Sequence, residues 1–314
     1  MPVRAPAWEH RSDRSLVQGY GHVHLYDSHV LGQWFCLERS SGRLLWQGDG
    51  HGMTDISGHA HGIVVATEMV SSGPGTYSRG CKAMRVDTGE LAWEATPPAP
   101  RGLFERFWRS FIVVTETVSF VDGDAVYLDS GRVLDLRSGA ELRRIDKAQL
   151  SARSGAHWKA RLDDDAHRFY LGEPVAVAGG MLKRGTPGEA TPNSLDRATP
   201  LAFHVERQDG SIAWRHALDA DLQIDGNFHS YRWAPPSVLV IAAPRGDAAA
   251  GRSYRLIEVD ARDGSTCADF ALDDAPNAEC RIEDVDARDL LLSGRRVDGT
   301  RWLRRYPRQS AGAA

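Results

Sequence analysis

Twelve histidines are spread through this chain, and the spacing of six of them is the first hint of chemistry. His22 and His24, then His59 and His61, form His-x-His pairs in apolar segments, and His167 and His229 lie in two further segments of the same kind. Residues two apart on a β-strand point to one side, so each pair would aim two imidazoles the same way. If that side lined a shared channel, the imidazoles could hold Zn, Mn, Cu or Fe, with Glu116, Asp165, Asp225 and Asp286 as carboxylate partners. Such a centre would suit a metal-dependent hydrolase or lyase. The plainer expectation is a set of solvated or hydrogen-bonded channel histidines, so no metal ligand and no catalytic residue is assigned.

Other catalytic patterns are missing. There is no Gly-x-Ser-x-Gly elbow, phosphate loop or dinucleotide fingerprint, and Gly19-Tyr20-Gly21 and Gly73-Pro74-Gly75 lack the strand–turn–helix setting that would give them a phosphate. Asp163, Asp164 and Asp165 read as a solvated turn. Cys36, Cys81, Cys267 and Cys280 show no Cys-x-x-Cys spacing and read as buried thiols of a reduced compartment. Residues 1–11 carry no apolar leader, and no stretch approaches the roughly 20 apolar residues of a membrane span, so a cytoplasmic protein without a membrane partner is expected. A formal net charge of -4 offers nothing to a phosphate backbone, which excludes nucleic acid as the expected partner.

Two segments have the composition of recognition surfaces. Phe104, Arg106, Phe107, Trp108 and Arg109 concentrate the aromatic and arginine types found at the centres of protein interfaces. The same spacing would also serve the buried face of a short helix, and both readings stay open. Lys183 and Arg184 begin a Gly- and Pro-rich stretch over 180–200, read as an irregular loop that either orders on a ligand or is a tolerated insertion.

The elements that would position these residues come from an internal repeat. An alternating apolar segment, a turn ending in glycine and a second short strand occur around Gly42, Gly89, Gly139, Gly210 and Gly264. Ser, Thr or Asp before Gly is hairpin chemistry, because Gly accepts positive φ and the polar side chain can bond the backbone. Period-2 alternation on both sides argues for strands. Steps of about fifty residues fit one four-stranded antiparallel sheet per repeat. Upstream apolar runs over 63–67, 125–129, 174–179, 237–242 and 289–294 read as second strands. With 42% hydrophobic and 25% charged residues, the chain has enough apolar material for such a core.

An apolar strand, an x-x-[Ser/Thr/Asp]-Gly turn, then Leu or Ile, one residue and Trp resembles the repeat of the PQQ-like, or quinoprotein-like, β-propellers. The Trp stands four residues after the turn glycine at Trp46, Trp93 and Trp214, while Arg143 and Ala268 take its place in two other repeats. The resemblance implies that each Trp docks onto the neighbouring blade, so the Arg143 and Ala268 seams are expected to pack differently. It implies an all-β, six-bladed propeller of four-stranded blades in a single domain over 1–314, with blades near 16–49, 53–96, 111–147, 159–218, 222–272 and 279–308 plus 3–12. The last repeat lacks a fourth strand, and residues 5–10 resemble the Trp-bearing strands, so the N-terminal segment is expected to complete that blade and close the ring.

In that architecture the long connections over 69–80, 96–110, 146–157, 180–200 and 244–252 gather mostly at one face, while the glycine turns at the other are short. Long loops in a compact domain are uncommon without a use. The expected function is therefore non-catalytic protein binding, as a scaffold or a toxin-neutralising, immunity-type protein whose partner is a toxin or effector. The quinone-dependent dehydrogenases of the family are exported, longer, richer in blades and carry calcium beside the quinone. PQQ is accordingly not expected, nor any other cofactor.

Overall fold

The computed structural model describes residues 3–12, 23–32, 35–47, 55–72, 75–96, 116–162, 169, 172–188, 201–224, 230–246, 251–272 and 276–308. The chain is all-β, its described strands forming antiparallel sheets, and it divides into two compact units, residues 17–159 and residues 1–16 with 160–314.

In the unit of residues 17–159, sheet I holds β2 (His24–Leu25), β3 (His29–Leu31), β4 (Phe35–Glu38) and β5 (Leu44–Gln47). Sheet II holds β6 (Asp55–Ala60), β7 (Ile63–Ser72), β8 (Gly75–Arg85) and β9 (Leu91–Ala95). Sheet III holds β10 (Val118–Asp122), β11 (Ala125–Leu128), β12 (Arg132–Asp135) and β13 (Glu141–Arg144), and helix α1 (Lys147–Leu162) follows it. In each sheet the strands pair in chain order.

In the other unit, sheet IV holds β14 (Val175–Val177), β15 (Gly180–Arg184), β16 (Ala202–Glu206) and β17 (Ile212–Ala217). Sheet V has five strands, because its first position is divided. β18 (Leu222–Gln223) and β19 (Tyr231–Ala234) both pair with β20 (Ser237–Pro244), which continues into β21 (Arg255–Asp260) and β22 (Thr266–Ala271). Sheet VI holds β23 (Asn277–Val285), β24 (Asp289–Arg296) and β25 (Arg301–Pro307), and its fourth strand is the N-terminal β1 (Trp8–Ser12). The register runs from Trp8 opposite Arg305 to Ser12 opposite Arg301, as the likeness of residues 5–10 to the Trp-bearing strands requires.

The five glycine turns join third to fourth strands, with positive φ at every glycine. At Gly42, Gly89, Gly139 and Gly264 the glycine N–H donates four residues back, to the carbonyls of Glu38, Arg85, Asp135 and Asp260, each at 2.8 Å. Gly210 closes a tighter turn on Arg207 at 3.0 Å.

Alternation explains how one strand serves two seams. On β20, Val238, Val240 and Ala242 enter the core shared with sheet IV, while Leu239, Ile241 and Ala243 enter the core shared with sheet VI. Both faces are buried, so the strand reads as an unbroken apolar run.

Three tryptophans dock as the resemblance implies. Trp46 Nε1–H donates to Val86 O of sheet II (2.7 Å), Trp93 Nε1–H to Leu136 O of sheet III (2.7 Å), and Trp214 Nε1–H to Ala261 O of sheet V (3.1 Å). Each indole lies on the next turn glycine. A Cβ on Gly89, Gly139 or Gly264 would stand 2.5, 2.7 or 2.6 Å from the ring, so glycine answers both the left-handed φ and the close approach.

Several expected boundaries are corrected. Residues 174–179 contain the first strand of sheet IV, not the second; the second is β15, which lies inside the stretch 180–200 expected as an irregular loop. Residues 69–72 and 75–80 extend the β7–β8 hairpin rather than forming a loop. Residues 146–157 enter α1, whose start is a capping box: Asp146 Oδ1 accepts from Gln149 N–H (2.8 Å), and Gln149 Oε1 accepts from Asp146 N–H (3.3 Å).

Candidate functional site

The ends of the sheets differ in kind. Connections from first to second strands and from third to fourth strands are tight turns in both units, such as residues 61–62, 123–124, 178–179 and 261–265. Among the described strands, the long connections 13–23, 96–117, 145–174, 185–201 and 245–254 leave from the opposite strand ends. Helix α1 belongs to one of them. Leu150 packs with Phe120, Tyr127 and Val133 of sheet III, the His157 ring stacks on Phe120 with centroids 4.8 Å apart, and the Arg153 guanidinium covers Tyr127 at 5.7 Å.

Of the recognition residues, Phe104, Arg106, Phe107, Trp108 and Arg109 lie outside the described residues. Lys183 and Arg184 are on β15, not in a loop. Lys183 is paired with Glu206 at 2.9 Å and remains partly exposed. Arg184 is buried, 5.5 Å over the Tyr231 ring and hydrogen-bonded to its hydroxyl, so it serves the core of sheets IV and V and presents no charge to a partner.

The histidine readings separate as well. His22, His167 and His229 fall outside the described residues, as do Asp165 and Asp225. His24 is on β2, its ring 6.4 Å from that of Tyr26. Tyr26 lies against His59 of β6, with centroids 4.3 Å apart. Burial, and then the like charges of His29 and His61, hold the His59 imidazole below its usual pKa. His61 does not extend the strand alternation. It sits in the β6–β7 turn at φ 51°, with Nε2 3.2 Å from Asp124 Oδ1. The expectation of two imidazoles on one side of a strand therefore fails for His59 and His61, because the turn begins between them.

Among the described residues no group of three or more His, Cys, Asp or Glu is arranged to hold a metal ion. Glu116 is buried against Arg132 at 2.8 Å and accepts from the Ser130 hydroxyl. Asp286 accepts the N–H groups of Arg288 (2.9 Å) and Asp289 (2.8 Å), which is turn chemistry. Burial, with Asp87 adding repulsion, pushes the Cys36 thiol up to about 12, and burial with Glu116 nearby does the same to Cys81. Neither is a nucleophile near neutral pH. Cys280 is also buried, whereas Cys267 is exposed, against the expectation for all four.

Two buried arginine side chains carry no local signal in the sequence. Arg304 donates through Nε to Glu9 (2.6 Å) and through Nη1 to Leu272 O (2.8 Å), with its guanidinium 4.3 Å over Trp302. Arg308 donates to Glu258 (3.2 Å), to Ala234 O (2.9 Å) and to Asp286 O (3.0 Å). Their one trace in the sequence is the density of arginine in the last repeat.

No protein-family model and no curated protein matches the chain. Similar solved structures include BamB from Moraxella catarrhalis, at 12% identity and a TM-score of 0.30 over 95% of this chain and 98% of that one. The quinohemoprotein alcohol dehydrogenase from Comamonas testosteroni matches at 12% identity and a TM-score of 0.22, over 78% of this chain and 40% of that one. BBS1N, solved in complex with ARL6DN, matches at 11% identity and 0.22, over 92% and 76%. These neighbours include propeller proteins, and at such scores the likeness carries no inference about activity. No described helix is long and apolar enough to cross a membrane.

Proposed function

We propose that this chain is a protein-binding β-propeller, a non-catalytic platform whose six blades form one domain closed by the N-terminal strand. The observation that supports this reading is the separation of long connections from tight turns: among the described strands, the long connections leave after the second or the fourth strand of a sheet. Sheets packed face to face around shared apolar cores make a rigid base, and a rigid base lets connections of unequal length match an asymmetric partner without a large ordering cost.

The partner is another protein, with the chain acting as a cytoplasmic scaffold or a toxin-neutralising immunity-type protein. Its anchors are Phe104, Arg106, Phe107, Trp108 and Arg109, with Lys183 at the edge. Replacing Phe107 and Trp108 together with Ala tests this. The expected result is an unchanged melting temperature with loss of the partner that cross-links to the wild-type chain in its native cell. A collapse of melting temperature would make those rings core and remove the anchor.

A further inference from the structure

Where Trp46, Trp93 and Trp214 each donate to the next sheet, the fourth strand of sheet III carries Arg143 at the equivalent place. Arg143 turns back onto its own sheet, and its Nη2 donates to the Tyr127 hydroxyl at 3.3 Å. Phe120, Tyr127, Val133 and Arg143 stand opposite one another across β10, β11, β12 and β13, so they form one row on one face. Helix α1 lies against that row, with Leu150, Arg153 and His157 at the spacing of one helical face. From the helix, Arg153 Nη1 also donates to the Tyr127 hydroxyl, again at 3.3 Å.

Two guanidinium groups thus meet at one neutral oxygen. A hydroxyl has two lone pairs and one proton, so with both arginines donating to it the Tyr127 O–H can only donate in turn, and it neutralises neither charge. Among the described residues, neither arginine has a carboxylate partner or a second hydrogen bond, which leaves most of their N–H donors for a ligand. Glu141, on the same strand as Arg143, pairs with Arg132 and Arg144, and Asp146, at the start of α1, accepts from Gln149 N–H. Helix α1 itself contains Lys147, Arg153, Lys159 and Arg161 and no acidic residue. Arg143 and Arg153 are exposed, as is all of β13, which forms the edge of its sheet and carries Leu142 beside Arg143. Like charges that converge without a counter-ion raise the energy of the free protein, and an arriving anion relieves it.

We propose that Arg143, Arg153 and the Tyr127 hydroxyl form an oxyanion site that takes a carboxylate from an acidic segment of the protein partner. The planar fork of a guanidinium matches a carboxylate with two parallel N–H donors, and two forks steered by one phenol fix where that carboxylate sits. An exposed strand edge and an exposed leucine beside the site suit a peptide, which adds backbone and apolar contacts, whereas a lone anion at an exposed site is held weakly against solvent. The source of the carboxylate rests on the protein-binding reading; the anion chemistry rests on the arginines alone.

A fluorescein-labelled peptide of alternating glutamate and serine, followed by anisotropy on the full chain at about 20 mM salt, tests the site. It is expected to bind about tenfold more tightly than the same peptide with glutamine, and Arg143→Gln is expected to lose about that factor. Arg137→Gln removes the same charge from a turn of the same sheet and should change the affinity less than about twofold. Inorganic phosphate should displace the peptide only above about 10 mM, and displacement at micromolar phosphate would assign the site to a small anion and overturn the peptide source. A second measurement needs no ligand. Removing one of two like charges is expected to raise the melting temperature of Arg143→Gln by about 2 °C over wild type at about 20 mM salt, a gain that vanishes at about 0.5 M. An arginine with a purely structural role would lower it at both. Equal binding of the two peptides, equal losses for Arg143→Gln and Arg137→Gln, or a lower melting temperature for Arg143→Gln at low salt would overturn the proposal. None of these touches the protein-binding reading, which is judged by capture of the partner in the native cell.

Discussion

The seam between sheets II and III and the seam between sheets V and VI perform the same task with different chemistry. At the first, Trp93 fills the gap, donates to Leu136 O and covers Gly139, amid Val65, Ala83, Val126, Leu128 and Leu134. At the second, the equivalent position is Ala268, too small to reach across. There guanidinium groups add to the apolar core that the two sheets share: Arg308 spans to Glu258 and Ala234 O, Arg304 to Leu272 O, and Arg232 of β19 to Glu283 O at 3.0 Å. A neutral ring with one hydrogen bond is indifferent to pH and salt, whereas buried ion pairs are strong only while both partners stay charged and paired. The repeat thus specifies that a seam be filled, not how.

This contrast is open to breakage at three points. Trp93→Ala should have the largest effect, about 3–5 kcal/mol in denaturant unfolding, because it leaves a ring-sized cavity and an unmet Leu136 carbonyl. Its penalty should be the same at pH 5 and pH 8; a marked difference would show that charge contributes to this seam too. Arg308→Ala should cost about 3 kcal/mol, chiefly by leaving Glu258 buried without its partner. Removing both groups in Arg308→Met with Glu258→Gln should recover much of that loss. A double variant no more stable than the single one would mean that packing by the arginine stem outweighs the ion pair.

The smallest effect is expected at Glu9→Gln, about 1–2 kcal/mol near neutral pH. Burial raises the Glu9 carboxyl, but hydrogen bonds and charge from Arg11 and Arg304 outweigh it and hold the group below its ordinary value. A carboxylate so depressed contributes fully above the unfolded pKa and loses its contribution as pH falls through the lower folded value. Melting temperatures of wild type and variant should therefore converge as pH drops below about 4. Curves that stay parallel down to pH 3 would remove the charge from this contact.

The expected tryptophan seams were legible because one local pattern carries them. Gly89, Gly139 and Gly264 need left-handed φ, and the indole four residues past one turn glycine has a fixed reach to the next. The N-terminal strand was legible for a related reason, since its Trp8-Glu9 resembles Trp93-Glu94. The errors fall where alternation is weak or brief. β14 has three residues, so its apolar run could be counted as either of two strands. Helix α1 is not legible although Asp146 and Gln149 stand at capping-box spacing, because its polar composition gives no clear apolar stripe.

Period-2 apolar runs and glycine turns recur along the chain, and each depends only on neighbours within a few residues, so the amino-acid order alone determined that four-stranded antiparallel sheets would form and that residues near the start would join the last of them. Pairing of buried charges was decided only by the tertiary structure. Glu9 and Arg304, or Glu258 and Arg308, are far apart in sequence, and nothing local distinguishes them from exposed residues of the same type. Their energies arise from the low-dielectric surroundings that exist once the sheets have packed.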